Sequence, residues 1–421
     1  MNILLCGANG FIGRHLEQGL AAAGHRVIRG VRVPRSCSDI AIDYTKDTSV
    51  KVWLPRLADV DAVINAVGIL SEHGNTSFGA VHRDAPIALF EACLQAGVRQ
   101  VIQISALGGE HGGQPTRYMQ SKREADAYLM QLPLNAAVIR PSLIVGEDGE
   151  SSRLFRSMAS LPVIGLPGKG EQQLQPVHIE DVCRAVIKLL ELESEEKGVK
   201  LVNAVGPEAI SYRQMLEHYR TSMRLKSALW LPIPLSFMSA MAKVAEKLPQ
   251  RFLTSDTLLM LEQGNTADVG PFKQLLGRSP KGPHSWFAGI APSMLRAEAT
   301  WRWMRPLFQL TLAAVWIVTG LLSLGIYPVD DSYALLAQVG LHGALATLAL
   351  YGAALLDIAL GIATLAYPGR WLWRIQIALM AGYTVIISFF LPEFWLHPFG
   401  PILKNLPILA LLIALDATEG N

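Results

Sequence analysis

In the stretch RYMQSKREADAYL, Tyr118 and Lys122 stand four residues apart on what reads as a helix, and therefore on one face of it. Ser105 closes the apolar run VIQIS thirteen residues before Tyr118. A tyrosine so placed can exchange a proton with a hydroxyl or carbonyl oxygen. A neighbouring ammonium lowers its pKa, and a serine hydroxyl orients the reacting oxygen. A second group lies at the start of the chain, where Gly7, Gly10 and Gly13 follow the run NILLC at intervals of three. Such glycines permit a tight strand-to-helix turn and let the backbone approach a pyrophosphate at the helix N-terminus.

These residues need a frame. Up to about residue 190, short β-branched runs (NILLCG, HRVIRGV, DAVINAV, RQVIQIS, NAAVIRPS) alternate with amphipathic stretches. That rhythm predicts an α/β fold, a doubly wound parallel sheet with helices on both faces. The glycine turn falls at its first strand–helix junction, which is the context a dinucleotide site requires. SFGAVHRDAPIALFEACLQAGV reads as a helix ending at Gly97. Residues 145–295 are less regular and read as a smaller substrate lobe, so the first domain is expected over 1–295. Within that lobe, residues 229–248 combine LWLPIPL with Lys243 and Lys247; lobe packing, a pocket wall or a place on a bilayer surface all suit them.

The nucleotide is expected to be NADP(H) rather than NAD(H). A carboxylate at the end of the second strand would bond ribose hydroxyls, but this chain offers Arg29, Arg32 and Arg35 there, with no carboxylate before Asp39. A guanidinium grips a 2′-phosphate bidentately. Asp43 suits either the adenine amino group or a loop cap.

Composition gives the chain two solvents. Between Pro306 and Leu415 the charged residues are Asp330, Asp331, Asp357, Arg370, Arg374, Glu393 and Lys404 alone, and the mean hydropathy of the whole chain is +0.29. Residues 300–421 are expected to hold about four transmembrane helices, the fourth short and interrupted by Pro407. Trp301, Trp303, Trp371, Trp373 and Trp395 lie at segment ends, as aromatic belts do. Arg296, Arg302, Arg305, Arg370 and Arg374 mark one side, which predicts an integral membrane protein with its first domain and C-terminus facing the cytoplasm. Asp357 lies inside the second span, where a carboxylate is costly and suits a proton relay, a headgroup contact or a protonated packing partner.

Other classes are disfavoured. A net charge of +2 without a basic run gives no sign of nucleic-acid binding. Cys6, Cys37, Cys93 and Cys183 lack metal-binding spacing and point to a reducing compartment, with no metal expected. His178 is expected to bridge the lobes by a hydrogen bond and Asp181 to start or cap its helix.

Residues 1 to about 290 resemble the extended or atypical branch of the short-chain dehydrogenase/reductase superfamily, which includes the epimerase/dehydratase-like proteins. GANGFIG, NAVG, ISALG, YMQSK, IRPSLIVGEDG and QPVHIEDVCRAV carry the likeness. VHRDAPIALFEACLQAGVRQVIQISALG and LTSDTLLMLEQGN are similar to the subgroup of the Rossmann-fold accessory subunit of respiratory complex I. The tail resembles DoxX-like four-helix modules. The resemblance implies a bound nicotinamide nucleotide at Gly7, Asn9, Gly10, Phe11, Ile12, Gly13, Arg32, Asp43, Ala66, Val67, Gly68, Tyr118, Lys122 and Pro141. It implies catalysis by Ser105, Tyr118 and Lys122. His82 stands where active members often carry asparagine. Three activities follow as expectations: hydride transfer to or from a lipophilic carbonyl or alcohol, a non-catalytic nucleotide-holding module with a membrane protein partner, or redox-neutral epimerase/dehydratase chemistry on a nucleotide sugar.

Overall fold

The computed structural model describes residues 1–108, 115–192, 198–246, 254–398 and 400–420. Two compact units divide it, Met1–Ala299 and Thr300–Asn421.

The first unit is organised by seven parallel strands: β1 (Asn2–Cys6), β2 (Arg26–Val31), β3 (Asp39–Ala41), β4 (Ala62–Asn65), β5 (Gln100–Ile104), β6 (Ala136–Pro141) and β7 (Val199–Ala204). Their spatial order is β7-β6-β5-β4-β1-β2-β3. Period-two alternation explains why the central strands read as unbroken apolar runs. Ile3, Leu5, Ile64, Ile102 and Ile139 enter the core on one face, whereas Leu4, Cys6, Val63, Val101 and Val138 enter the core on the other. A strand covered on both sides has no polar face to show.

Chain order reverses between β1 and β4, so the loops after these two strands diverge and leave a crevice at their carboxyl ends. The smaller lobe has its own core, built around Ile164, Leu166, Tyr212, Leu216, Tyr219, Trp286 and Phe287. His178 ties it to the sheet domain: Nδ1 accepts the Glu180 N–H at 3.3 Å, and Nε2 donates to the Trp286 carbonyl at 3.1 Å. The imidazole therefore caps the helix Ile179–Glu191. Asp181, expected to start or cap it, lies in its first turn, where it is buried and paired with Arg278 and the Lys281 N–H, while the cap is His178.

The second unit is helical. Three helical stretches, Pro292–Ile326, Gly343–Ala366 and Arg370–Phe390, are long and apolar enough to cross a membrane. The expected fourth, Asn405–Thr418, has 14 residues. At 1.5 Å per residue it is about 21 Å long, short of a bilayer core of about 30 Å. Pro407 does not break it, because in the first turn its missing N–H forfeits no hydrogen bond. Close crossings occur where Gly320 meets the Ala354 carbonyl and Gly361 the Ala313 carbonyl. Gln376, fully buried, accepts from Trp316 Nε1 at 2.8 Å and donates to Thr364 Oγ1 at 2.9 Å. Arg305, Arg370, Arg374 and Trp373 gather at one end on Asp416 and Glu419. Asp357 is buried, and its Oδ1 finds no hydrogen-bond partner among the described residues.

Candidate functional site

The glycine turn forms one wall of the crevice. Gly7 takes a φ of +84°, and its N–H donates to the Gly30 carbonyl at 3.0 Å. A Cβ on Gly13 would lie 2.1 Å from the Gly7 carbonyl oxygen, so this glycine is what lets the helix Phe11–Ala22 sit on the turn. The N–H groups of Phe11, Ile12 and Gly13 open that helix without an acidic residue in its first turn. A cradle of this kind fits the phosphates of a dinucleotide. Phe11 turns its ring against Gly146 and Gly149, while Arg14 and His15 both hold Asp148 at 2.8 Å. The glycine helix is thus fastened to the loop that leads into the smaller lobe.

The opposite wall is the segment Ala66–Val67–Gly68 beyond β4. Its backbone packs on Gly7, and its course is set by Asn65, the first residue of NAVG, for which the sequence suggested no role of its own. The Asn65 Oδ1 accepts from Tyr44 Oη at 2.8 Å and from the Val67 N–H at 3.2 Å, and its Nδ2 donates to Gln103 at 2.7 Å.

Beyond β2 the three arginines separate. Arg29 is committed: it donates to Asn9 Oδ1 at 2.7 Å and pairs with Glu17 at 3.4 Å and Asp39 at 3.9 Å. Asn9 therefore meets Arg29 through its side chain and Arg14 through its carbonyl. Arg32 is exposed, with no ion pair among the described residues. The Asp39 carboxylate folds into its own turn, accepting the N–H groups of Arg35 and Ser36 and the Ser36 hydroxyl, and those bonds hold its pKa down. Asp43 takes the loop-capping role: it accepts the N–H and hydroxyl of Thr45 at 3.0 and 2.6 Å, with Lys46 at 3.5 Å.

Tyr118 and Lys122 share one face of the helix Arg117–Leu129, as their spacing requires. Lys122 is buried, with Nζ donating to the Ile104 carbonyl at 3.2 Å; a Cβ on Gly68 would lie 3.2 Å from the same nitrogen. Burial lowers its pKa to about 8, against the pull of Asp126. Half-buried Tyr118 makes no hydrogen bond through its hydroxyl among the described residues. The expectation that Lys122 depresses the tyrosine is not met here: burial raises Tyr118 to about 12, and the Asp126 charge adds to the rise.

Ser105 departs further from its expected role. Its hydroxyl donates to Asp126 at 2.7 Å, so a lone pair is what it has left to offer a substrate. Asp126 stands one turn beyond Lys122, visible in the sequence as the next member of an i, i+4, i+8 row. It also accepts from Arg140 at 3.1 Å. Pro141 ends β6 and its carbonyl accepts the Leu107 N–H at 2.9 Å.

His82 has a definite use. Nε2 accepts the Ile69 N–H at 3.0 Å, which leaves the proton on Nδ1 to reach Ser121 Oγ at 3.0 Å; that hydroxyl donates to the Tyr118 carbonyl at 2.8 Å. The imidazole stacks on Phe78 and meets the Tyr118 ring edge-on at 5.3 Å. Burial, reinforced by the Lys122 charge, lowers its pKa to about 2. It is a neutral strut between the β4 loop and the tyrosine helix.

Residues 3–204 match the NAD dependent epimerase/dehydratase family, and residues 313–413 match the DoxX-like family. The mitochondrial NADH dehydrogenase (ubiquinone) 1 alpha subcomplex subunit 9 of Arabidopsis thaliana is 27% identical over 254 residues, 56% of this chain and 61% of that protein. Ceramide reductase of Caulobacter vibrioides is 28% identical over 191 residues, 44% of this chain and 59% of that protein. The chain thus spans about three fifths of the length of these two relatives. Among solved structures, UDP-glucuronic acid 4-epimerase from Bacillus cereus, in complex with UDP-glucuronic acid and NAD, superposes with a TM-score of 0.51 at 20% identity. That match covers 73% of this chain and 100% of the other. The protein gox2253 gives 0.53 at 22% identity, over 72% and 98%. These two likenesses establish the fold of the first unit. The chain joins a Rossmann-like domain of the NAD dependent epimerase/dehydratase family to a helical domain of the DoxX-like family.

Proposed function

We propose that this protein is a membrane-anchored, NADP(H)-dependent oxidoreductase that transfers hydride to or from a lipophilic carbonyl or alcohol at the cytoplasmic face. The observation that carries the reading is the meeting of Lys122 Nζ with the Gly68 backbone, beside a tyrosine whose hydroxyl is uncommitted, at the point where the strand order reverses. Residues Gly7, Asn9 to Gly13, Ala66 to Gly68 and Pro141 would hold the nucleotide, with Arg32 on a 2′-phosphate. The bound nicotinamide supplies or accepts the hydride. In the reducing direction Tyr118 gives its proton to the carbonyl oxygen as the carbonyl carbon gains the hydride. Lys122 would hold a positive charge beside that oxygen and would bond the nicotinamide ribose. The lipophilic substrate is argued from three helices long enough to cross a membrane and from the relative named ceramide reductase.

A second reading, a nucleotide-holding module for a membrane protein partner, is favoured by one feature. The Ser105 proton is committed to Asp126 rather than held for a substrate. One experiment separates the two: NADPH oxidation by the detergent-purified chain supplied with a membrane-lipid extract, run beside Tyr118→Phe. Turnover lost in the variant, with NADPH binding kept, supports the oxidoreductase. NADPH binding without turnover in either protein overturns it in favour of the module, once redox-neutral conversion of nucleotide sugars is tested and absent.

A further inference from the structure

The stretch 229–248 left three roles open, and the structure divides it: lobe packing holds for its first part, where Trp230 packs against the lobe core, and not for the helix that follows. Lys247 lies outside the described residues, but Leu229–Ile233 forms a strand along Val163–Pro167, and a helix Leu235–Ala245 follows. Lobe packing would bury this helix, yet Ala242 is its one buried residue. Phe237 is 58% exposed, Met241 46% and Val244 65%. They are spaced four and three apart, which makes them a single apolar stripe. Leu229 and Leu231, on the preceding strand, are also exposed. Ser236, Ser239 and Lys243 occupy the other face. An amphipathic helix with its apolar face turned outward asks for a cover, since soluble surfaces rarely leave such stripes open.

We infer that this helix lies in the plane of a phospholipid bilayer, with Phe237, Met241 and Val244 set into the boundary between headgroups and acyl chains. Length fits that posture: 11 residues make about 16 Å of helix, too short to cross but sufficient to lie along the surface. Charge fits as well, because Lys243 is exposed on the polar face, from which a long side chain can carry its ammonium to anionic headgroups. The same chain carries three helices of bilayer length, so lipid is within reach of this domain at a high effective concentration.

The position in the lobe gives the contact a use. The helix leans on Ser255–Gln263, and Glu246 at its end accepts the Ser255 N–H at 2.7 Å. Asp256 on that second helix lies within the electrostatic reach of Arg117 and Glu72, which pair at 2.8 Å. Arg117 is the residue before Tyr118. The lipid-facing element is therefore one helix removed from the tyrosine.

The test needs no turnover, so its outcome is independent of the oxidoreductase reading. Cys37 is the exposed cysteine and is replaced by serine; Cys6, Cys93 and Cys183 are buried. Met241→Cys or, as a second site, Val244→Cys is labelled with an environment-sensitive fluorophore in the full chain. Each is reconstituted in vesicles of phosphatidylcholine and phosphatidylglycerol, with Lys51→Cys as an exposed control and circular dichroism to confirm folding. Spin-labelled lipids with shallow labels should quench positions 241 and 244 several-fold more strongly than position 51, while iodide in the buffer quenches position 51 alone. Quenching by iodide at 241 and 244 overturns the inference. Shielding of both positions from lipid and iodide alike also overturns it and assigns the stripe to a protein contact.

Discussion

The Ser105 hydroxyl and the Arg140 guanidinium converge on one carboxylate oxygen of Asp126, at 2.7 and 3.1 Å, and the other oxygen of that carboxylate is buried without a partner among the described residues. The serine therefore serves a buried ion pair before it serves a substrate. Ser105→Ala should keep turnover within about tenfold of the parent while lowering stability by about 1–3 kcal/mol, the cost of removing one donor from a buried charge. Tyr118→Phe should show the opposite split, losing about 10²–10⁴-fold in kcat with little change in melting temperature. Steady-state rates and thermal melts on the two variants check both halves.

His82 makes stability fall on the acid side. The unfolded chain protonates this imidazole below its ordinary pKa of 6.5, whereas the folded chain refuses the proton until about pH 2. Unfolding thus takes up a proton throughout that window, and stability declines as pH falls through it. His82→Asn, whose amide oxygen can accept the Ile69 N–H, should melt less steeply with falling pH between 6 and 4 while holding the loop. His82→Ala should leave that N–H unsatisfied and lose about 1–3 kcal/mol at neutral pH. Melting temperatures across pH for the three proteins decide it.

Lys122 predicts the alkaline limb. Burial brings its pKa from 10.5 to about 8, so the ammonium is present below that pH and lost above it. With NADPH and a carbonyl substrate, kcat/KM should hold below about pH 8 and fall with unit slope above it, as a profile of the free enzyme reports. Tyr118, raised to about 12, adds no limb in this range. Lys122→Met should remove the inflection together with most of the activity.

Arg32 governs the choice of nucleotide on this reading, because Arg29 is already held by Asn9, Glu17 and Asp39. Arg32→Ala should weaken NADPH by roughly tenfold or more, in line with a charge-assisted hydrogen bond of about 1.5–3 kcal/mol, and leave NADH nearly unchanged. Titration calorimetry with both nucleotides reads the ratio directly.

Much of this is legible in the sequence because it is written in period and spacing. Strand alternation, the glycine turn, the Tyr118–Lys122 helix and the apolar helices follow from local chemistry that tertiary contacts do not reverse. The partners of polar side chains are less legible. Nothing in the spacing of three arginines says that Arg29 is taken by Asn9 while Arg32 stays exposed, since that depends on which face of β2 meets the glycine turn. Asp126 carries a signal in its row with Tyr118 and Lys122, but pairing it with Ser105 requires β5 to lie against that helix. The fourth apolar segment is as short as expected, but Pro407 does not interrupt it, because a proline's effect depends on its place in the helix and composition does not mark where a helix begins.

The two glycines after Gly7 answer different constraints, and a pair of substitutions can separate them. A Cβ at Gly13 would press to 2.1 Å on the Gly7 carbonyl oxygen and 2.8 Å on the Ala8 Cα, all of it backbone that cannot turn aside. At Gly10 the φ is −74° and a Cβ would meet the Gly7 oxygen at 3.2 Å, a contact relieved by a shift of a few tenths of an ångström. Gly13→Ala should therefore force the helix Phe11–Ala22 off its turn, lowering the melting temperature and abolishing nucleotide binding together. Gly10→Ala should fold nearly as the parent does and lose affinity through the crowding of the phosphate cradle, because its new methyl stands on the exposed rim of the turn. If both variants melted alike and bound NADPH alike, the close approach of helix to turn would not be what the glycine spacing secures. The discriminating result is a large fall in melting temperature for Gly13→Ala alone, measured beside NADPH affinity in the same preparations.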